Sequence, residues 1–343
     1  VTALAVAARF LSRRPSLASI LVGLVATSAV IGAVGTNPLT AYWVLVKGAV
    51  GSAQNVLTTL QYATPVILSG LGVWLALRLN FFNLGAEGSI NLAGFAAGVI
   101  ATIPALAFPG GAVVVVIAAS LIGALWVLPP LLMKVYLKTS EIVVTILLNF
   151  VSLQLTSFLL ARWFQAPGAI PRTAAIPDAL VLPHLARVSN LNAGILIALA
   201  LALFYQVYFR RSALFFKIRA VGANPVASWY AGFSVRSIIL WTIFTGAFIS
   251  SIAGACEALG VYRGFQMGFG TGLGWDGLTV ALLGQESVIG VVIAGLFWGA
   301  LHSGGLSLQI ETGLPVEIIL VFQGILVILL GGIRLRKSTT PHS

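Results

Sequence analysis

The sequence predicts an all-α, polytopic membrane protein, and three observations carry that prediction. Apolar residues make up 59% of the 343 residues and charged residues only 8%, against about 25% charged in a typical soluble domain. A mean hydropathy of +1.04 agrees. The apolar residues fall in runs joined by short polar segments, and at ~20 residues per span the chain holds about ten transmembrane helices. The third observation is charge: 19 Lys and Arg against 8 Asp and Glu, a net +11, gathered between the runs. In a soluble domain that excess would suggest nucleic acid. Between apolar runs it is the positive-inside pattern instead, so lipid is the expected surroundings and no nucleic-acid partner is expected. A soluble enzyme and a disordered chain are both excluded.

The elements follow in order. Arg9, Arg13 and Arg14 precede an apolar run, 16–34, which is long for a cleavable leader and reads as the first span. Residues 36–60 mix polar and apolar positions and read as an interfacial amphipathic stretch. Further spans are expected near 62–80, 88–108, 111–133, 142–162, 191–209, 237–260, 288–304 and 316–333. The run 276–284 is too short to cross a bilayer alone with normal geometry and reads as a half-helix or re-entrant segment, or as part of a span bent by neighbouring Gly. The Pro-rich segment 163–190 reads as the largest external loop. The whole chain, 1–343, reads as one transmembrane domain, with 163–190 too small to be a domain of its own.

With the N-terminus inside and ten crossings, 14 basic residues fall on the cytoplasmic side: Arg9, Arg13, Arg14, Arg78, Lys134, Lys138, Arg210, Arg211, Lys217, Arg219, Arg236, Arg334, Arg336 and Lys337. Only Lys47, Arg162, Arg172, Arg187 and Arg263 fall outside. Both termini are therefore expected in the cytoplasm. Ten spans divide into halves of five, about 16–162 and 191–333, and an odd number per half makes the second an inverted copy of the first. GAEGSINLAG (85–94) and GWDGLTVALLG (274–284) both begin Gly-x-acid-Gly and both open the third span of a half. Short or broken helices are expected there.

Carboxylates are few enough to take singly. Asp178 reads as solvated in the loop, and Glu141 as a first-turn acid after a capping Thr139 or Ser140. Glu87 and Asp276 lie between glycines at helix starts. Each is a helix cap or faces a polar path through the membrane. Glu257, near the end of a span, is costly to insert and is expected to face a cavity or partner. Asn91 and Asn149 lie within apolar helices, where an amide often bonds a neighbouring helix. The basic stretch 210–236 holds a short helix: Asn224 is its N-cap, Pro225 its first residue and Gly232 its stop. Trp229, Tyr230 and Phe233 lie outside any span there, which suits docking to a cytosolic protein, with an interfacial helix on anionic lipid as the alternative. The lone Cys256 permits no internal disulfide. His184, His302 and His342 are too scattered in sequence to predict a metal site. No nucleotide-binding, metalloprotease or lipase motif is present.

Four segments together resemble a known family. FNLGAEG (82–88), EIVVTILLNF (141–150), RAVGANPVASWYAG (219–232) and GWDGLTVALLG (274–284) are similar to motifs of permease subunits of bacterial ABC importers, most of all the simple-sugar/nucleoside branch. The similarity runs from about residue 60 to 333. Departures are Leu84 for Ile, Ser228 for Ala, Phe150 for Tyr, Trp275 for Phe, and Leu278-Thr279 for Ile-Ala. The resemblance implies a ten-helix permease of the bacterial inner membrane, paired with a second permease chain, either a copy or a homologue. It also implies a cytosolic ATPase that docks on 224–232 through Asn224, Pro225, Trp229, Tyr230 and Gly232, and an extracytoplasmic solute-binding protein. The permease itself is expected to catalyse nothing and to need no cofactor or metal. Glu87, Asn91, Asn149, Phe150, Glu257, Trp275 and Asp276 are the expected pathway residues, and a nucleoside or related ribose-containing solute is the expected cargo. Two rival readings are an ion-coupled secondary transporter using Glu87, Asp276 and Glu257, and a membrane-embedded enzyme.

Overall fold

A computed structural model describes residues 15–186, 188–285, 287–315 and 317–339. Arg9, Arg13, Arg14 and Arg187, which enter the charge count above, lie outside the described residues. Helices α1 (Pro15–Ala33) and α2 (Pro38–Val50) are bent by 114° at the turn between them. The first half continues with α3 (Ala53–Leu77), α4 (Ala86–Ile100), α5 (Gly111–Leu125), α6 (Leu128–Leu137) and α7 (Glu141–Leu159). After the 163–190 segment come α8 (Gly194–Val207), α9 (Ala213–Ala223), α10 (Pro225–Tyr230), α11 (Val235–Glu257), α12 (Leu273–Gly284), α13 (Val288–Thr312) and α14 (Glu317–Thr339).

Among the described residues, six segments are long and apolar enough to cross a membrane: Ala53–Leu77, Gly111–Leu137, Glu141–Phe164, Gly194–Arg211, Val235–Tyr262 and Val288–Thr312. The bent α1–α2 pair is a possible seventh. Length alone therefore supports fewer than the ten crossings expected. At 1.5 Å rise per residue, α4 reaches about 22 Å and α12 about 18 Å, short of a ~30 Å hydrocarbon core. The expected span 88–108 ends eight residues early, where Thr102 and the turn at Pro104–Leu106 break it.

The expected interfacial stretch 36–60 is corrected too. Its second part is the first two turns of α3, with Ser52 accepting the Asn55 N–H at 3.1 Å as N-cap. The polar residues there are spent on protein, not water. Thr59 Oγ1 donates to Ala49 O at 2.8 Å, Asn55 Nδ2 to Lys47 O at 2.9 Å and Gln54 Nε2 to Val188 O at 2.6 Å.

Two long helices form the centre. α3 packs on α11, α12 and α13, while α11 packs on α3, α4 and α5. They cross backbone to backbone at Gly72 and Gly246, where a Cβ on either glycine would run into the other's carbonyl oxygen. Hydroxyls join the layers: Ser250 Oγ donates to Ser69 O at 3.2 Å and Ser251 Oγ to Ser89 O at 3.4 Å. α4 packs against α5 and α7, and α12 against α13 and α14.

α7 shows which solvent the fold is built for. Its buried residues are Thr145, Asn149, Ser152 and Thr156, a polar stripe at helical spacing. Its Leu147, Phe150, Val151 and Phe158 are exposed. That pattern inverts the one of a water-soluble helix and suits hydrocarbon surroundings, where hydrogen bonds rather than apolar burial hold helices together.

Candidate functional site

The two short helices, α4 and α12, begin beside each other, and their starts are held by side chains from elsewhere. Four backbone N–H groups at each helix start have no partner within the helix, and in a membrane no water is there to take them. At α4, Asn149 of α7 supplies both halves of a clamp: its Oδ1 accepts the Gly88 N–H at 2.9 Å and its Nδ2 donates to Leu84 O at 2.7 Å. One helical step along, Asn91 Nδ2 donates to Thr156 Oγ1 at 2.8 Å, and Ser152 Oγ donates to Gly88 O at 2.9 Å. Asn91 and Asn149 thus bind α4 to α7.

Glu87 is a cap, but not of its own helix. Its Oε1 accepts the Gly272 N–H and its Oε2 the Gly274 N–H, both at 2.6 Å, so one carboxylate closes the start of α12. The negative charge also lies at the positive end of that helix dipole. The approach demands glycine twice. Gly272 has φ of +93°, and a Cβ at Gly274 would overlap the Glu87 backbone.

Asp276, one turn into α12, does no capping. Its Oδ2 lies 3.4 Å from Nε2 of His302 on α13. His302 stacks on Tyr62 of α3, with ring centroids 5.7 Å apart, and its Nε2 is 3.3 Å from Nε2 of Gln323 on α14. One ring nitrogen therefore stands between a carboxylate that needs a donor and an amide nitrogen that needs an acceptor. Glu257, at the end of α11, lies within electrostatic reach of Tyr62 and Tyr262. Asp276 thus belongs to one polar junction with Tyr62, His302 and Gln323, while Glu87 holds the same end of α12 and Glu257 lies near the Tyr62 side. Phe150 and Trp275 are outside it: Phe150 is on the exposed face of α7, and Trp275 is exposed on the first turn of α12. The Ser140 cap expected for α7 is absent, and Glu141 instead pairs with Lys134 at 2.6 Å. Asp178 is exposed, as expected, 3.5 Å from Arg263.

A second feature stands apart from the junction. Asn224 accepts the Ala227 N–H at 2.9 Å and Pro225 is the first residue of α10, as the sequence predicts. Gly232, at φ +84°, turns the chain away after the C-cap Ala231. Ser228 is the one buried residue of α10, while Val226, Trp229 and Tyr230 are 64%, 64% and 78% exposed. The α9–α10 unit is tied to the end of α3 by Asn80, whose Nδ2 donates to Gly222 O at 2.8 Å. The same end of α3 reaches α12: Arg78 donates to the carbonyl of Gln285, the residue that caps its far end.

A polytopic helical membrane protein with polar half-helix junctions is the class that this arrangement defines. The family model for the permease component of branched-chain amino acid transport systems matches residues 55–331, and the chain belongs to that family. Similar curated proteins include the guanosine ABC transporter permease NupP of Bacillus subtilis, 33% identical over 91% of each chain. The glucose ABC transporter permease TsgB13 of Haloferax volcanii is 31% identical over 92% of this chain and 84% of its own. The nucleoside ABC transporter permease NupB of Lactococcus lactis is 31% identical over 89% and 86%. The chain is a multi-pass membrane permease subunit of an ABC transport system.

Proposed function

We propose that the chain is the permease of an ATP-driven importer for nucleosides or related ribose-containing solutes and simple sugars. The observation that carries this reading is the full-length similarity to permeases named for guanosine, nucleoside and glucose, at 31 to 33% identity. We assign it ten crossings in two inverted halves, about 16–162 and 191–333, within a single domain. The reciprocal packing supports this: the second expected span of the first half, α3, contacts α12 and α13, and that of the second half, α11, contacts α4 and α5. The basic count supports an orientation with both termini and the 210–236 coupling loop in the cytoplasm and 163–190 outside, and we assign the membrane as a bacterial inner membrane. A second permease chain, a cytosolic ATPase and an extracytoplasmic binding protein complete the assembly.

In this reading the ATPase docks on α10 through Val226, Trp229 and Tyr230, while Asn224, Pro225 and Gly232 shape the helix. Movement of α10 passes through Asn80 to the end of α3, and through Arg78 to the far end of α12. The near end of α12 is what Glu87 holds. The half-helix is thus gripped at both ends, by α3 and by α4, and a shift of α3 acts on the polar junction. Asp276, Glu257 and the exposed Trp275 and Phe150 are assigned to the solute path; Asn91 and Asn149 border it and fix α4.

Reconstitution in liposomes with the ATPase and binding protein tests the reading. Uptake of nucleoside is expected to require ATP, and Tyr230→Asp is expected to abolish ATPase co-purification. Uptake driven by a proton or sodium gradient without ATP would overturn it in favour of an ion-coupled carrier built on Glu87, Asp276 and Glu257.

A further inference from the structure

A groove of about 490 Å³ separates the α9–α10 unit from the neighbouring face of α11, and its two ends differ in chemistry. At one end Lys217 holds its ammonium 5.9 Å from the Phe233 ring centre, beside the hydroxyl residues Ser234 and Ser237 that line the same space. Among the described residues no carboxylate lies within ion-pair distance of Lys217. Further along α11 the lining is Leu75, Ile238 and Trp241 with the hydroxyl residues Thr242 and Thr245, on helices long and apolar enough to cross the membrane. Trp241 is exposed there, and an aromatic ring near the end of a span suits the headgroup level of a bilayer. The surroundings are one-sided in charge: the 210–236 stretch carries Arg210, Arg211, Lys217, Arg219 and Arg236, and no acid.

We infer that this groove is a binding site for an anionic phospholipid of the cytoplasmic leaflet. The phosphate sits against Lys217 and the two serine residues, and an acyl chain runs along Leu75, Ile238 and Trp241. A free phosphate would use only the basic end and leave the apolar end open to water. A neutral hydrocarbon would leave Lys217 without a counter-charge. A phospholipid satisfies both ends, and a basic juxtamembrane surface selects a negative headgroup over a zwitterionic one. Gly232 and Phe233, which follow α10, also line the groove, so the lipid braces the segment that presents Trp229 and Tyr230. This inference rests on the cytoplasmic placement of 210–236 proposed above.

The test uses the full-length permease alone, in detergent, so that it does not depend on ATPase docking. The protein is incubated with phosphatidylglycerol or with phosphatidylcholine of the same chain length, passed over a sizing column, and its retained lipid measured by native mass spectrometry. The wild type is expected to retain several-fold more phosphatidylglycerol than phosphatidylcholine, and excess inorganic phosphate is expected not to displace it. Lys217→Gln should remove the preference, and Thr245→Trp, which fills the apolar end, should lower retention of both lipids. Lys217 is exposed, so its variant is expected to fold even where the larger tryptophan disturbs packing. Tyr230→Asp should retain lipid as the wild type does, which separates this site from the docking surface. Equal retention of the two lipids by the wild type, or an unchanged preference in Lys217→Gln, would overturn the proposal. So would cross-linking of a cysteine at position 241 to the ATPase in the assembled complex, since the groove would then be a protein interface.

Discussion

Replacing Glu87 by Gln separates capping from charge more sharply than any other single change. The two carboxylate oxygens accept two backbone N–H groups at 2.6 Å each. Hydrogen bonds to a charged group contribute about 1.5–3 kcal/mol each. An amide has one acceptor oxygen, so it keeps one bond and turns its NH2 toward the second N–H. That loses one charge-assisted bond and leaves a buried donor facing a donor, which costs about 1–3 kcal/mol more. The opposing term is that a neutral amide is easier to bury than a carboxylate, whose insertion costs about 2.5–3.5 kcal/mol at mid-membrane. The balance is a loss of about 2 kcal/mol for Glu87→Gln. A larger loss is expected for Glu87→Ala, which leaves both N–H groups open. Asp276→Asn is the control, because Asp276 caps nothing and Asn keeps an oxygen for His302; its cost should stay below ~1 kcal/mol. Thermal unfolding of the purified permease in one detergent, followed by tryptophan fluorescence, ranks the variants. Wild-type stability in Glu87→Gln with a large loss in Asp276→Asn would refute the trans-cap as what holds α12. Normal transport by Asp276→Asn would remove Asp276 from the solute path.

Asn149→Leu removes both bonds of the α4 clamp and should destabilise the permease by about 2–3 kcal/mol in the same unfolding assay. Gly72→Leu places a side chain where the Gly246 carbonyl already lies; loss of the monodisperse sizing peak is expected, whereas leucine at the exposed Ile170 should leave that peak unchanged. For orientation, single cysteines at 212 and 170 in a Cys256→Ala protein should label from opposite sides of intact cells. An impermeant thiol reagent reaching position 212 would reverse the topology.

Sequence patterns located the spans well where the lipid-facing side chains are apolar, because hydropathy measures that face directly. Hydropathy failed for residues 53–60 because Gln54, Asn55 and Thr59 look like water-seeking groups, while their hydrogen bonds go to α2 and to the 163–190 segment. The short helix with Asn224, Pro225 and Gly232 was legible because capping is a local property of a few consecutive residues. The junction was only half legible. Glu87, Asp276 and Glu257 stood out as rare acids, yet nothing local says that Glu87 closes a helix 185 residues later in the chain. Tyr62, His302 and Gln323 were missed, since each sits alone in an apolar run. His302 carried a usable signal, an ionisable side chain within a span, which is a functional candidate by default.

A half-helix in a membrane obliges the chain to bring polar groups to its open end, and that obligation changes what a buried acid or amide means. Rarity alone made seven residues pathway candidates. Three of them, Glu87, Asn91 and Asn149, make hydrogen bonds that hold the start of α12, the start of α4 and the α4–α7 contact, so the architecture accounts for them without any solute. Asp276 and Glu257 are not used up in that way. Neither caps a helix, and Glu257 makes no hydrogen bond or ion pair among the described residues. An intramembrane carboxylate kept at a cost of kcal/mol, without a structural bond to show for it, needs some other return. Between the two stands the Tyr62–His302 stack, an aromatic face edged by acceptors. Vicinal hydroxyls of a ribose-containing solute seek acceptors of that kind, and a purine or sugar ring seeks such a face. The weight of the solute-path assignment therefore moves from the Gly-x-Glu-Gly motif that first drew attention to Asp276, Glu257, Tyr62 and His302.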